Sequence, residues 1–481
     1  MMENSCFLEK AEALRPTLLH SKIALHGHDV ALDNGDEAVF DFGKHCVGYV
    51  SIDFESVGHH QDAPFHFLVQ FAEREIEFRE DPKEYRGWIS PSWIQEEQVH
   101  IDVLPRKYRF ERRFAFRYVK VRVLAVSSNY KVRIRGIEVD AVSSADDSAL
   151  IPFKGRKEDA KLDEVSIRTL HECMQEVFED GPKRDRRLWL GDLRLQALAN
   201  YETYRNNDLV KRCLYLFAGS TLADGRVASN VFIAPTVECD FQASFDYSLF
   251  FINTLWDYYK ATGDIETLVE LEPTAKHQYE LLKDSCFRED HLVDMSEIGL
   301  CFIDWNLRLD KEASAQGVYL YAGRALVEME EALGHDTRRI EEDLKAKAAA
   351  ARTLYDASLN LFVSGPSRQI SYASQIWMVL AGVADGSSLI DVERYRDAEV
   401  MMSPYMFHYY VEACLLSGRK EKAYEAMVSY WGQMIDAGAD TFFELFNPKN
   451  PDESPYGGTI VNSYCHAWSC TPTYFLRRYF Y

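Results

Sequence analysis

The chain has 481 residues, of which 47% are hydrophobic and 13% aromatic, and its 54 Lys and Arg against 76 Asp and Glu give a net charge of −22. This composition excludes a disordered or low-complexity chain and provides enough apolar surface for well-packed cores. The acidic balance argues against nucleic acid as a partner, because phosphate binding needs clustered Lys and Arg. It favours neutral or cationic ligands.

The first residues lack the basic segment and apolar run that a secretory signal requires, and no later stretch is long and apolar enough to cross a bilayer. The ten cysteines are scattered and form no Cys-x-x-Cys pair, which is typical of reduced thiols in a core. We therefore predict a cytoplasmic protein with no membrane contact.

Up to about residue 150, short β-branched and aromatic runs alternate with turn residues. In one of these runs Val119, Val121 and Val123 alternate with polar residues, which is the period of a half-buried strand. Several such runs at short spacing indicate an antiparallel β-sandwich. We predict an all-β domain over residues 1–155.

From about residue 160 the apolar residues recur at helical spacing instead. Gly-Asp at 263–264, Gly-His-Asp at 334–336 and Ser-Gly-Arg at 417–419 predict helix ends followed by N-caps. Helices arranged in pairs would close a toroid of six hairpins around a central cavity over residues 156–481. A plain α-solenoid is the alternative.

The segment Asp180-Gly-Pro-Lys-Arg-Asp-Arg-Arg-Leu-Trp-Leu-Gly-Asp192 is rich in charged groups around a tryptophan. Its glycine and proline end the preceding helix, so the segment leads from a loop into a new helix. If its later part is helical, Asp185, Trp189 and Asp192 share one face. An aromatic plate flanked by carboxylates suits a sugar ring, which offers an apolar face and hydroxyl donors. A solvated loop with local Asp–Arg pairs is the alternative.

A second cluster comprises Gly438-Ala-Asp-Thr-Phe-Phe-Glu444 and Asn462-Ser-Tyr-Cys-His466. A carboxylate after two phenylalanines is poorly solvated, which raises its pKa and suits it to proton transfer. The alternatives are that Glu444 caps or pairs locally and that His466 is a hydrogen-bonded core histidine.

These motifs resemble those of the inverting α-L-rhamnosidases of glycoside hydrolase family 78. Asp180 to Asp192 is similar to the family signature Asp-x-Pro-x-Arg-Glu-Arg-Leu-Gly-Trp-Thr-Gly-Asp, and residues 438–444 and 462–466 resemble its Gly-Ala-Thr-Thr-x-Trp-Glu and Ser-x-Asn-His segments. Phe40-Asp-Phe-Gly43 and Phe114-Ala-Phe-Arg-Tyr-Val119 are similar to the preceding β-sandwich. The resemblance implies a jelly-roll-like β-sandwich followed by an (α/α)6 barrel that hydrolyses terminal α-L-rhamnosides.

Carried over position by position, Asp185 falls where the family has its general-acid Glu and Glu444 where it has its general base. The resemblance also implies sugar-binding residues at Asp180, Arg184, Trp189, Asp192 and His466. The surrounding sequence adds further pocket candidates, each of which could equally be a helix cap or a packed side chain: Glu238, Asp240, Asp246, Tyr247, Asp304 and Trp305.

Three features depart from the family pattern. Asp185 is one methylene shorter than Glu, and an alignment shifted by one residue would put Arg186 at the acid position. The Leu-Gly-Trp-Thr part of the signature reads Arg187-Leu-Trp-Leu190. The family's C-terminal β-sandwich has no counterpart here, so we expect an uncovered face of the barrel that suits a homodimer.

No metal or cofactor is implied, because the chain has no His-x-x-x-His pair, Cys cluster, phosphate loop or dinucleotide fingerprint. We therefore predict hydrolysis of a small carbohydrate substrate, a rhamnoside, with water as the only cosubstrate. Two other functions stay open. The chain could be an (α/α)6 hydrolase of another deoxy- or uronic sugar, or a non-catalytic carbohydrate-binding relative.

Overall fold

The computed structural model describes residues 2–481. In its N-terminal part, seven strands form one antiparallel sheet in the order β1-β7-β2-β6-β3-β4, with β5 paired to β2. The strands are β1 (Leu19–His26), β2 (Glu37–Gly58), β3 (Phe65–Ala72), β4 (Glu96–Ile101), β5 (Arg106–Arg109), β6 (Phe114–Ala125) and β7 (Tyr130–Ser143).

The long strand β2 joins the two halves of this sheet. Its first half pairs with β6 up to Gly48, and its second half pairs with β7 from Gly48 onward and with β5. Val119, Val121 and Val123 of β6 are fully buried, as their alternation predicts, and belong to one apolar core shared by the strands. The prediction of an antiparallel β region before residue 150 is confirmed.

The chain nevertheless begins with a helix, so the expectation of an all-β first part is wrong for these residues. Helix α1 (Met2–Ala13) packs against the later helix α4 (Asn207–Gly219) rather than against the sheet. The Arg212 guanidinium donates to the carbonyl oxygen of Ala11, and Lys10 pairs with Glu270. A short helix without a strong apolar stripe depends on such tertiary contacts, which a local sequence pattern does not show.

The remainder of the chain is mainly helical, as predicted. Its helices are α2 (Ala160–Cys173), α3 (Leu190–Glu202), α4, α5 (Phe245–Thr262), α6 (Ile265–Ser285), α7 (Glu312–Ala332), α8 (Arg338–Arg352), α9 (Tyr372–Leu380), α10 (Ser388–Asp391), α11 (Pro404–Leu416), α12 (Lys420–Asp436) and α13 (Pro472–Phe475). Short strands lie between them: β8 (Leu188–Trp189), β9 (Asn230–Phe232), β10 (Glu238–Cys239), β11 (Tyr355–Asp356) and β12 (Leu361–Phe362).

Five of these helices, α3, α5, α7, α9 and α11, pack against one another in succession, and α13 packs against α3. Most residues of α3 and α5 are buried, whereas α6, α8 and α12 bury only one side. The predicted helix ends are confirmed, since Gly263, Gly334 and Gly418 have positive φ after α5, α7 and α11. Among residues 2–481, no helix has the length and apolar character of a membrane span.

Candidate active site

A cavity of about 380 Å³ lies at the N-terminal ends of α3 and α5. Its walls come from the loop before α3, the loop before α7, the segment 444–468 and a loop of the N-terminal region. The lining residues are Trp88, Ile89, Ser90, Trp93, Asp180, Arg184, Asp185, Arg187, Trp189, Asp192, Tyr247, Phe302, Trp305, Glu444, Tyr456, His466 and Trp468. Both charged clusters found in the sequence therefore meet in one cavity.

The segment that carries Asp185 is a strained loop rather than the start of a helix. Asp185 and Arg186 have φ angles of 59° and 53°, and α3 begins only at Leu190. Trp189 lies in β8, which pairs with β9. The shared helix face expected for Asp185, Trp189 and Asp192 is therefore wrong, although all three side chains still line the cavity.

Contacts on both sides hold this loop in place. The Arg187 N–H donates to the Asp180 carboxylate at 3.0 Å, and the Arg186 guanidinium donates to the carbonyl oxygen of Arg113 at 2.9 Å. The buried Lys183 ammonium pairs with Glu77 of the N-terminal region and donates to the carbonyl oxygen of Asn462 at 2.8 Å. Such contacts stabilise two consecutive left-handed residues, a conformation that Asp tolerates better than most residues.

Arg184 connects the two carboxylates that the sequence singled out. One terminal nitrogen of its guanidinium donates to Glu444, and the other lies 3.8 Å from Oδ2 of Asp185. The Arg184 Nε–H donates to the carbonyl oxygen of Val461 at 3.0 Å, which fixes the guanidinium plane. The Arg184 and Glu444 side chains are 4% and 5% exposed, whereas the Asp185 side chain is 24% exposed.

Glu444 has a poorly solvated carboxylate, as predicted. Burial raises its pKa, although the Arg184 guanidinium and a hydrogen bond donated by the Tyr456 hydroxyl oppose the rise. The Trp468 indole N–H donates to the backbone carbonyl oxygen of Glu444 at 2.9 Å and so fixes the backbone here. The carboxylate is thus both positioned and disposed to accept a proton.

Asp180, Asp192 and His466 form a buried polar group at the cavity wall. The His466 Nε2 atom lies 3.8 Å from the Asp180 carboxylate, and its Nδ1 atom lies 3.5 Å from the Asp192 carboxylate. Burial, with the neighbouring carboxylates, raises the pKa of both aspartates well above the usual range. Burial, with the Arg184 charge, lowers the pKa of His466 well below its usual range. The group therefore favours neutral forms, which suits hydroxyl ligands.

Three polar atoms in this wall have no hydrogen-bond partner within residues 2–481: Nε1 of Trp189, Oδ1 of Asp192 and Nδ1 of His466. Leaving a buried polar atom unpaired costs about 1–3 kcal/mol, so such atoms mark positions where a ligand or water completes the hydrogen bonding. Gly191 lets the Tyr247 ring approach this wall closely, since an added Cβ would lie 2.5 Å from that ring.

Two sequence candidates lie outside the cavity and hold its loops instead. The Asp246 carboxylate accepts from the backbone N–H groups of Phe302 and Ile303 at 3.0 and 2.9 Å. The Asp304 carboxylate accepts from the backbone N–H groups of Met402 and Ser403 at 2.8 and 3.1 Å. They position the neighbouring aromatic residues Phe302 and Trp305, which do line the cavity.

The weak candidates Glu238 and Asp240 are also absent from the lining. Glu238 is an exposed residue of the short strand β10, and the Asp240 carboxylate accepts from the Asn230 side-chain amide at 2.8 Å. Their spacing alone could not separate a loop contact from a ligand contact.

The sequence candidates Tyr247 and Trp305 line the cavity. The lining residues that sequence reasoning missed are mostly aromatic or come from the N-terminal region: Trp88, Ile89, Ser90, Trp93, Arg187, Phe302, Tyr456 and Trp468. Trp88 and Trp93 were detectable only as two tryptophans in a loop rich in Gly, Ser and Pro. Nothing local in that loop shows that it reaches the helical region.

One group of side chains elsewhere has metal-ligand geometry, comprising Glu272, Glu330 and His335. The Lys276 ammonium lies 2.7 Å from Glu330 and neutralises part of this charge. The group is not part of the cavity lining.

Two family models match the chain. Residues 12–141 match the glycosyl hydrolase family 78 alpha-rhamnosidase N-terminal domain, and residues 157–480 match the bacterial alpha-L-rhamnosidase 6 hairpin glycosidase domain. No curated protein matches the chain.

Solved structures of rhamnosidases are also similar to this chain. A rhamnosidase from Klebsiella oxytoca with rhamnose bound is 42% identical over 99% of both chains, with a TM-score of 0.94. A family 78 rhamnosidase of Bacillus sp. GL1 is 21% identical, with a TM-score of 0.76. The match covers 94% of this chain and 47% of the Bacillus chain. The second likeness shows the fold alone.

Proposed function

Because this chain belongs to glycoside hydrolase family 78, we propose that it removes terminal α-L-rhamnosyl residues from small glycosides with inversion of configuration. It is an α-L-rhamnosidase homologue, and therefore a glycosidase. The observation that carries this proposal is the Arg184 guanidinium between two carboxylates, Asp185 and Glu444, in the wall of one cavity. Inverting glycosidases need such a pair, with the carboxyl groups about 6.5–9.5 Å apart to admit a water molecule.

In the proposed mechanism, Asp185 is the general acid and Glu444 is the general base. Asp185 donates its proton to the glycosidic oxygen as the bond to the anomeric carbon breaks. Glu444 takes a proton from the water that attacks the opposite face of the sugar. The greater exposure of Asp185 supports its role at the leaving-group side, where the aglycone must reach solvent.

The sugar would be held by the buried polar wall. Asp180, Asp192 and His466 offer hydrogen-bonding atoms to its hydroxyls, and Trp189 and Trp305 offer apolar faces. Arg184 keeps Glu444 ionised and oriented, because a buried carboxylate without a cationic partner would favour its protonated form. No residue in this scheme calls for a metal ion.

The proposal includes the finer architecture. The succession of α3, α5, α7, α9 and α11, together with α13 against α3, supports an (α/α)6 barrel with the cavity at one end. The two family matches end at residue 141 and begin again at residue 157, which supports a domain boundary between residues 155 and 156. The pairing of β2 with both β6 and β7 supports a jelly-roll-like sandwich.

The test is turnover of a panel of nitrophenyl glycosides, α-L-rhamnoside included, by the wild-type protein and by the variants Asp185→Asn and Glu444→Gln. We expect α-L-rhamnosidase activity in the wild type and a loss of about 10²–10⁴-fold in each variant, because each removes one proton-transfer group at nearly constant shape. Proton NMR of the first-formed sugar anomer reports the stereochemistry, and inversion gives β-L-rhamnose.

Asp53→Asn is the control, since this carboxylate lies in strand β2, contacts Arg135 at 3.8 Å, and does not line the cavity. Turnover of another deoxy- or uronic sugar would keep the mechanism and change the substrate. Rhamnose binding without turnover of any glycoside would identify a carbohydrate-binding relative and contradict the assignment of Asp185.

A further inference from the structure

The N-terminal region sends one loop onto the cavity, which we call the rim segment (residues 82–94). Trp88, Ile89, Ser90 and Trp93 of this segment line the cavity opening. Trp88 is 69% exposed, although a large aromatic side chain is usually buried. An exposed aromatic residue at a cavity opening is a common feature of binding sites.

The rim segment is fixed to the helical region by polar contacts. The Tyr85 hydroxyl donates to the carbonyl oxygen of Tyr456 at 2.8 Å, and the Trp88 indole N–H donates to the carbonyl oxygen of Pro455, also at 2.8 Å. Just before the segment, the Glu80 carboxylate accepts from the Thr459 N–H at 2.6 Å. The indole plane of Trp88 is therefore held in place, and little side-chain entropy remains to be lost on binding.

The Trp88 ring continues a line of contacts that starts at the proposed base. Glu444 accepts a hydrogen bond from Tyr456, and the Arg184 guanidinium lies 4.0 Å from the centre of the Tyr456 ring. The Trp88 and Tyr456 rings are 5.3 Å apart, centre to centre. Glu444 and Tyr456 are 4% and 2% exposed and Trp88 is 69% exposed, so the contacts lead from buried residues to solvent.

We infer that Trp88, with Ile89 and Trp93, forms a binding site for a planar aromatic leaving group of the substrate. This inference rests on the proposed function. With the sugar at the buried polar wall, the group on the other side of Asp185 has to point toward the opening, where the rim segment lies. The rim offers apolar faces and no charged side chain to the cavity, which favours an aryl group over a second, hydroxyl-rich sugar.

The test compares phenyl α-L-rhamnoside with methyl α-L-rhamnoside, which lacks the ring, and with a rhamnosyl-glucose disaccharide. In Trp88→Ala we expect kcat/KM for the phenyl substrate, relative to the methyl substrate, to fall by about 3- to 10-fold, the scale of one aromatic contact. The loss should appear in KM rather than kcat, because the contact exists before and during the reaction. Trp88→Phe should restore most of it.

Tyr355→Ala is the matched control, because Tyr355 is an exposed aromatic residue that lines no part of the cavity. If Trp88→Ala lowered kcat/KM for the phenyl and methyl rhamnosides, and the affinity for free rhamnose, by the same factor, the cavity would be damaged as a whole. That result would overturn the inference. A disaccharide loss as large as the phenyl loss would overturn the aryl assignment.

The same variants in a Glu444→Gln background separate this inference from the proposed function. Dissociation constants of the phenyl and methyl rhamnosides, measured by calorimetry, report the Trp88 contact without turnover. A protein that hydrolyses no rhamnoside but prefers the phenyl ligand through Trp88 would refute the proposed reaction and keep the aromatic site. Equal affinities with and without Trp88 would refute the site.

Discussion

At the scale of single residues, the cavity combines a buried, fixed Glu444 with an Asp185 in a left-handed turn. Glu is less suited than Asp to positive φ, since the short Asp side chain can hydrogen-bond locally. This gives a physical reason for an aspartate at the position of the proposed acid, where residues 185 and 186 both adopt that conformation. The shorter side chain at this position is therefore compatible with the proposed role of Asp185 as the acid.

The pH dependence of activity should follow the carboxylate of Glu444. A raised pKa means that this proposed base becomes protonated while the pH is still above the range in which an ordinary glutamate titrates. We expect the acidic limb of kcat/KM in that higher range. In Tyr456→Phe, which removes a donor to the ionised form, the limb should move to still higher pH. A limb that moves to lower pH in this variant would contradict the assignment of Glu444 as the base.

At the scale of elements, the sequence predicted which segments carry the charged residues of the cavity. It did not predict which loops of the N-terminal and helical regions pack together around that cavity. Asp180, Arg184, Trp189, Asp192 and His466 all line the cavity, and their contact with a sugar stays a prediction. The loop-holding roles of Asp246 and Asp304 were not predictable, because a buried carboxylate that accepts backbone N–H groups has the same local sequence as one that faces a ligand.

The rim segment depends on one glycine at which the backbone meets its partner closely. A Cβ added at Gly87 would lie 1.8 Å from the carbonyl oxygen of Tyr456. We therefore expect Gly87→Ala to displace the rim segment and to reduce kcat/KM for the phenyl substrate more than for the methyl substrate. Steady-state kinetics with both substrates is the measurement.

Gly432→Ala in α12 is the control for this prediction, since its Cβ would meet no atom within 4 Å. An alanine there should leave both activities unchanged and favour the helix slightly. Equal kinetics for Gly87→Ala and the wild type would show that the rim segment is not positioned by this contact.

At the scale of the whole molecule, the sheet and the helical region share buried charges. Glu77 pairs with Lys183, and Arg113 pairs with Glu179 at 2.7 Å, each pair joining the two regions. Both members of the first pair are almost fully buried, and burial raises the pKa of Glu77 to about 7. Composition and periodicity predicted two regions, but not that charged groups connect them. The homodimer stays a prediction.

Removing one partner of this buried pair should destabilise the protein. In Lys183→Met, Glu77 is left as a buried carboxylate without its cation, which lowers the free energy of unfolding by about 3–5 kcal/mol. Protonation of Glu77 would make this loss smaller. The double variant Glu77→Gln with Lys183→Met should cost less than Lys183→Met alone. Urea denaturation at neutral pH measures these differences.

The control is the exposed pair Lys107–Glu138, whose side chains are 48% and 47% exposed. Loss of Lys107 should change stability by less than about 1 kcal/mol. If Lys107→Met and Lys183→Met had the same effect, the buried pair would not stabilise the junction between the two regions.

The packing of α13 against α3, with His466 opposite Asp180, has a consequence for synthesis. A ribosome makes the loop with Asp185 long before it makes Glu444, His466 and Trp468. Until those later residues emerge, the growing chain has one carboxylate of the proposed pair and only part of the buried polar wall. If the proposed pair is right, a chain that stops before Glu444 is therefore expected to be inactive.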